Sequence, residues 1–277
     1  MPDRLTLLRT VATSVAVALT VLGSPAGLAS GAEPTSGSAA GADAVAGGDG
    51  PASALKRQTR TPKRPTTRTL ALAAPAKPSS AFAFSTVLDG RPVRWDPCAP
   101  IRWTANTVAG PAGGLAVLQE SVDRIAQLTG TTWQYVGASS ATPTSGYLPK
   151  QSQAEYPPVL LGWTDAGSSD LLAGQPRAVL GMTRTAWFGI KRSDGSKVAA
   201  IRSAVVALDR TDALPLRGRT SWKALVLHEL GHVMGLAHVE DRNQLMATVL
   251  PASSDLQSGD LAGLSRLGSG AGCVVIR

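Results

Sequence analysis

The sequence predicts an α+β domain: a sheet of about five strands, an earlier helix packed on it, and a later helix that carries chemistry. Three observations support this. Runs of β-branched and aromatic residues recur at strand length between residues 101 and 209. Leu115, Leu118, Val122, Ile125 and Leu128 repeat at three- and four-residue steps. From Ser221 onward an apolar stretch holds His228 and His232, four apart and so on one helical face.

In chain order, residues 1–30 have the form of a secretory signal peptide. Arg4 and Arg9 supply positive charge, Thr10–Leu22 is an uncharged apolar run, and Gly27–Ala29 or Ser30–Ala32 offers small residues for cleavage. That run is shorter than the roughly 20 residues a membrane-spanning helix needs. Residues 31–81 are rich in Ala, Gly, Ser, Thr and Pro, with a basic cluster at Lys56–Pro65. With almost no large apolar side chains, their ordering entropy has nothing to offset it, so a disordered pro-segment or linker is expected. Its dibasic sites also suit cleavage during maturation.

The folded domain is expected over 82–277. Val93–Trp95 and Ile101–Thr107 alternate as strands around the turn-like Asp96–Pro100. Pro111–Gly114 introduces the first helix and Gly130 stops it. Thr131–Val136, Val159–Trp163, Ala178–Trp187 and Ser203–Asp209 are further strands, with a Ser/Pro/Gly-rich loop at 138–157 and a turn at Ser193–Gly195. Thr220 or Ser221 caps the second helix, whose Leu225, Val226, Leu230, Val233 and Met234 are expected to face the sheet while the histidines face a cleft.

That helix holds the strongest signal. The chain has three histidines, and all lie in the eleven residues His228–His238. Two imidazoles one turn apart can share a metal ion, and Glu229 stands beside the first. Gly235 lets the chain leave the helix with a positive φ and bring back His238 as a third nitrogen ligand. Three protein ligands leave one position open, the mark of a catalytic rather than a structural zinc site. A bare H-E-x-x-H recurs in unrelated helices; the longer form, with its glycine, third histidine and Met246 eight residues on, is far more specific.

His228-Glu229-x-x-His232-x-x-Gly235-x-x-His238 followed by Met246 resembles the signature of the metzincin zinc metalloproteases, and most closely the matrixin branch in a secreted, bacterial type. The Gly259–Gly268 helix pattern adds to this. The resemblance implies a twisted mixed sheet with a closing C-terminal helix, and one catalytic Zn2+ on His228, His232 and His238. It further implies Glu229 as the general base that activates a zinc-bound water, and Met246 in a turn beneath the imidazoles. An edge strand, here Ala178–Thr183, would receive the substrate backbone, and Ala247–Pro251 would wall a side-chain pocket. Val239 departs from the serine usual after the third histidine, and no histidine remains for a second, structural zinc. Cys98 and Cys273 are the only cysteines, so in an exported chain a single disulfide is the simpler reading. The alternative, Cys98 as a thiolate plug on the zinc, lacks the arginine-cysteine-glycine pattern of the matrixin switch.

The function expected is a secreted zinc metalloendopeptidase, a hydrolase acting on polypeptide substrates; the alternative is a catalytically inactive, zinc-stabilised extracellular binding module.

 The chain is expected to act as a monomer. Net charge is +8 and pI about 10.0, which raises nucleic acid as a partner. Residues 31–80, however, hold seven Lys/Arg against three Asp/Glu, and no basic stripe interleaved with aromatics follows, so none is expected. The basic linker instead suits peripheral contact with an anionic cell envelope. Asp165, Asp170 and Asp194 are candidate calcium ligands, but no 12-residue calcium loop surrounds them, and solvated loop carboxylates are the simpler reading.

Overall fold

A computed structural model describes residues 6–8, 14–17, 81–149 and 155–276. The segments expected to be a signal peptide (1–30, apart from two short strands) and a linker (31–81, apart from Ala81) lie outside the described residues. The strands are β1 (Thr6–Leu8), β2 (Ser14–Val17), β3 (Ala83–Phe84), β4 (Val87–Leu88), β5 (Arg91–Pro92), β6 (Ile101–Asn106), β7 (Trp133–Ala138), β8 (Val159–Thr164), β9 (Gly181–Lys191), β10 (Lys197–Asp209) and β11 (Leu236–Ala237). The helices are α1 (Gly114–Thr129), α2 (Trp222–Met234) and α3 (Ser258–Ser265).

Five long strands form a mixed sheet in the order β7-β6-β8-β10-β9. The first four run parallel and β9 is antiparallel to β10. The β9–β10 hairpin closes through Arg192–Ser196, where the Ser196 amide donates to Asp194 Oδ1 at 2.8 Å. On its outer side β9 pairs with β1 and β2; Ser14–Val17 lies antiparallel to Gly181–Arg184. A parallel strand covered on both faces reads as continuously apolar. β8 is such a strand: all six of its residues are buried. Val159, Leu161 and Trp163 enter the main core against the helices, while Leu160 joins a smaller cluster with Leu148, Leu171, Leu172, Val179 and Met182.

α1 forms where the periodicity places it. Gly113 and Gly130 flank it, both with left-handed φ, and Val117, Leu118, Val122 and Ile125 are buried. Each such side chain contributes roughly 1.5–3 kcal/mol by leaving water. Leu115 and Leu128 are only half-buried, at the rim of that face. α2 begins at Ser221, whose hydroxyl accepts from the Ala224 amide at 3.3 Å. Trp222 then meets Trp163 of β8 edge to face, with ring centroids 5.6 Å apart.

Three expected boundaries are corrected. Val93–Trp95 is not a strand; Arg94 makes one isolated bridge to Ala200. The alternation there reflects burial: Val93 and Trp95 point into the core, and Trp95 Nε1 donates to the Val233 carbonyl at 2.8 Å. The strand expected from Ala178 begins at Gly181, because Val179 is held in a turn by Pro176. The C-terminal helix is shorter than the Gly259–Gly268 pattern, ending at Ser265.

Cys98 and Cys273 are joined in a disulfide, with Cα atoms 5.4 Å apart. The Val274 amide donates to the Asp96 side chain at Oδ1, 3.1 Å away, so a hydrogen bond also fixes the tail beside the crosslink.

Candidate metal centre

α2 is buried almost all round, with only Lys223 half-exposed. His228 and His232 fall one turn apart, and the helix then stops at Gly235, whose φ of 114° suits a residue without Cβ. Its amide donates to the carbonyls of Gly231 and His232. Leu236 and Ala237 turn back as β11 against β3, which returns His238 over the helix end.

The three Nε2 atoms converge. His228 lies 3.2 Å from His238 and 3.1 Å from His232, and His232 lies 3.1 Å from His238. A carbonyl oxygen only accepts, so His228 Nδ1, 2.6 Å from the Leu245 carbonyl, carries a proton. The same holds for His232 Nδ1, 2.9 Å from the Leu236 carbonyl. The Nε2 atoms of both neutral rings therefore face each other with lone pairs, an arrangement that a cation stabilises. Tetrahedral zinc with Zn–N bonds of about 2.0–2.1 Å requires nitrogens roughly 3.3–3.4 Å apart. The donor set fits a zinc ion in both spacing and chemistry.

Burial keeps the rings in their ligating form. It lowers the His228 pKa to about 3, with a further push from His238 and an opposing effect of the hydrogen bond that His228 donates to the Leu245 carbonyl. It holds His232 well below the usual value, and lowers His238 as well.

Glu229 points toward β9. Its Oε2 accepts from the Thr183 hydroxyl at 2.6 Å, whereas Oε1 is buried without a hydrogen-bond partner. Burial pushes its pKa up to about 8, against the pull of the Thr183 hydroxyl. An orphaned buried carboxylate oxygen costs stability and calls for a function.

Met246 is buried, and its sulfur sits where a Cβ on Gly231 would lie. Asp260 of α3 fixes this turn: its Oδ2 accepts from the Leu245 amide at 2.7 Å and its Oδ1 from the Met246 amide at 3.2 Å. Burial raises the Asp260 pKa, and these amides oppose the rise. Across 247–251 burial alternates: Ala247 and Leu250 are buried, Thr248 is exposed, and Val249 and Pro251 are half-exposed.

The structure brings together the imidazoles of His228, His232 and His238, with Glu229 on the same helix and Met246 in the turn below; Thr183 and Asp260, which bond to Glu229 and to that turn, were not singled out from the sequence. Asp260, the one carboxylate in residues 256–267, could have been read as a signal; nothing in local spacing marks Thr183. The three candidate calcium carboxylates do not gather. Asp165 pairs with Arg210, Asp170 accepts from Ser145, and Asp194 accepts from Ser196. Cys98 is held in its disulfide, so it is not a free thiolate.

Residues 161–268 match the family model described as matrixin. No curated protein matches the chain.

Proposed function

We propose that this matrixin-like domain, a zinc metallopeptidase by kind, is an endopeptidase that cleaves extracellular polypeptides with His228, His232 and His238 as zinc ligands and Glu229 as general base. One observation carries the reading: three converging imidazole nitrogens beside a buried carboxylate whose Oε1 has no partner. Zinc, when bound, polarises the substrate carbonyl and acidifies a water molecule. As the water oxygen bonds to the carbonyl carbon, Glu229 would receive its proton at Oε1 and pass it to the amine nitrogen as the C–N bond breaks. His228 and His232 keep their orientation through the Leu245 and Leu236 carbonyls. Met246 supplies an apolar floor and Asp260 secures the turn that bears it.

The edge of β9 over Gly181–Arg184 is proposed to receive the substrate backbone as an added strand. Ser14–Val17 of the leader pairs with that stretch, and leader removal on export frees it. The disulfide suits an oxidising compartment, and among the described residues no helix is long and apolar enough to cross a membrane. The basic 31–81 segment then links the domain to, or is trimmed near, an anionic envelope. A zinc-stabilised module without catalysis has no use for Glu229, whose burial only costs it stability.

Casein or gelatin turnover, with and without a chelator, tests the proposal. Wild type should be active only with metal. Glu229→Ala should keep its zinc and lose about 10²–10⁴-fold in rate. Equal turnover by the two proteins would refute the mechanism.

A further inference from the structure

We propose that Thr183, together with the absence of a side chain at Gly181, positions the Glu229 carboxylate for its work as base. This rests on the endopeptidase reading above.

Both residues lie on β9, and both meet Glu229 on the helix-facing side of the sheet. The Thr183 hydroxyl donates to Glu229 Oε2 at 2.6 Å and lies 3.3 Å from the Glu229 carbonyl oxygen. It is 2 % exposed, so no water competes for the bond. Oε1 receives no such bond. One oxygen is therefore anchored and the other left to meet a ligand, which splits the carboxylate into a fixed end and a working end. A carboxyl group without that anchor turns about its last torsion, which is broad rather than confined to a single staggered well.

Gly181 supplies the room. A Cβ built there would fall 2.5 Å from Oε1 and 3.0 Å from the carboxyl carbon. Residues 181 and 183 share a face because strand side chains alternate. One short piece of β9 thus holds the carboxylate from one side and leaves space for it on the other. The same piece is the strand edge proposed for the substrate, so the base and the bound peptide are aligned by one rigid element.

Thr183→Val keeps shape and β-branching but removes the donor, and Thr183→Ser keeps the donor. Each is compared with wild type for thermal stability, bound zinc, kcat and KM on a fluorogenic peptide, and for the Glu229 conformation in crystals of the metal-free protein. The expected result for Thr183→Val is one zinc per chain, KM within about twofold, and kcat lower by about tenfold, part of the general-base contribution. Its metal-free crystals should show the carboxylate turned from the wild-type position, and Thr183→Ser should restore both readouts. Gly181→Ala should displace the same carboxylate and lower kcat without loss of zinc. The inference is overturned if Thr183→Val retains wild-type kcat, if Thr183→Ser falls as far as Thr183→Val, or if the carboxylate does not move. An inactive wild-type protein that holds zinc would overturn the endopeptidase reading itself, a result distinguishable from all of these.

Discussion

α1 and α2 pack on the same face of one sheet, yet they use their residues differently. α1 buries seven of its sixteen residues along one stripe and leaves the opposite side to water. α2 buries twelve of thirteen, among them His228, Glu229 and His232. In α1 burial is apolar and its hydroxyls bond locally: the Ser121 hydroxyl donates to the Val117 carbonyl at 2.8 Å. In α2 burial includes groups that water would solvate better, and one carboxylate oxygen has no partner at all. α1 is thus built for stability and α2 carries a cost that only its chemistry explains.

The largest effect that would sharpen this contrast is in α1. Leu118 is fully buried, so Leu118→Ala should cost about 2–5 kcal/mol in denaturant unfolding. The surviving folded fraction should keep its kcat. A fall in kcat per folded molecule would erase the division of roles.

A second effect belongs to α2 in the metal-free protein. Glu229 has a folded pKa of about 8, above its ordinary 4.5, so its stabilising contribution is complete below pH 4.5 and lost as pH rises through 8. His228 has a folded pKa of about 3, below its ordinary 6.5; its contribution is complete above pH 6.5 and lost as pH falls through 3. Between pH 6.5 and 8 Glu229 acts without opposition from His228. Metal-free wild type should lose about 2 kcal/mol across that window, and Glu229→Gln should lose much less. Parallel stability curves for the two proteins would show that the buried carboxylate carries no such cost.

The smallest effect concerns how α2 starts. Ser221→Ala removes the side-chain acceptor for the Ala224 amide and should cost about 1 kcal/mol by thermal unfolding, with zinc content unchanged. Loss of zinc in that variant would mean that the start of the helix and its metal end are coupled.

How much of this was legible in the sequence follows from the same contrast. α1 could be read from periodicity because only one of its faces is buried. α2 has no polar face to define a period, so it was found through the spacing of His228, His232, Gly235 and His238 instead. The strand order depends on long-range pairing, which alternation within one strand does not encode. Alternation misled at Val93–Trp95, where two buried side chains flank Arg94 without a ladder. Thr183 was invisible for a related reason: its partner Glu229 is 46 residues away and meets it only after the sheet and helix have packed.

The seat of the Met246 sulfur on Gly231 has a genetic consequence. A side chain at position 231 would force the thioether at 246 to shift or shorten, whereas a shorter residue at 246 would leave a void rather than a clash. The constraint therefore runs in one direction: codon 246 can change at the cost of a cavity, but codon 231 cannot gain a Cβ while the sulfur keeps its seat.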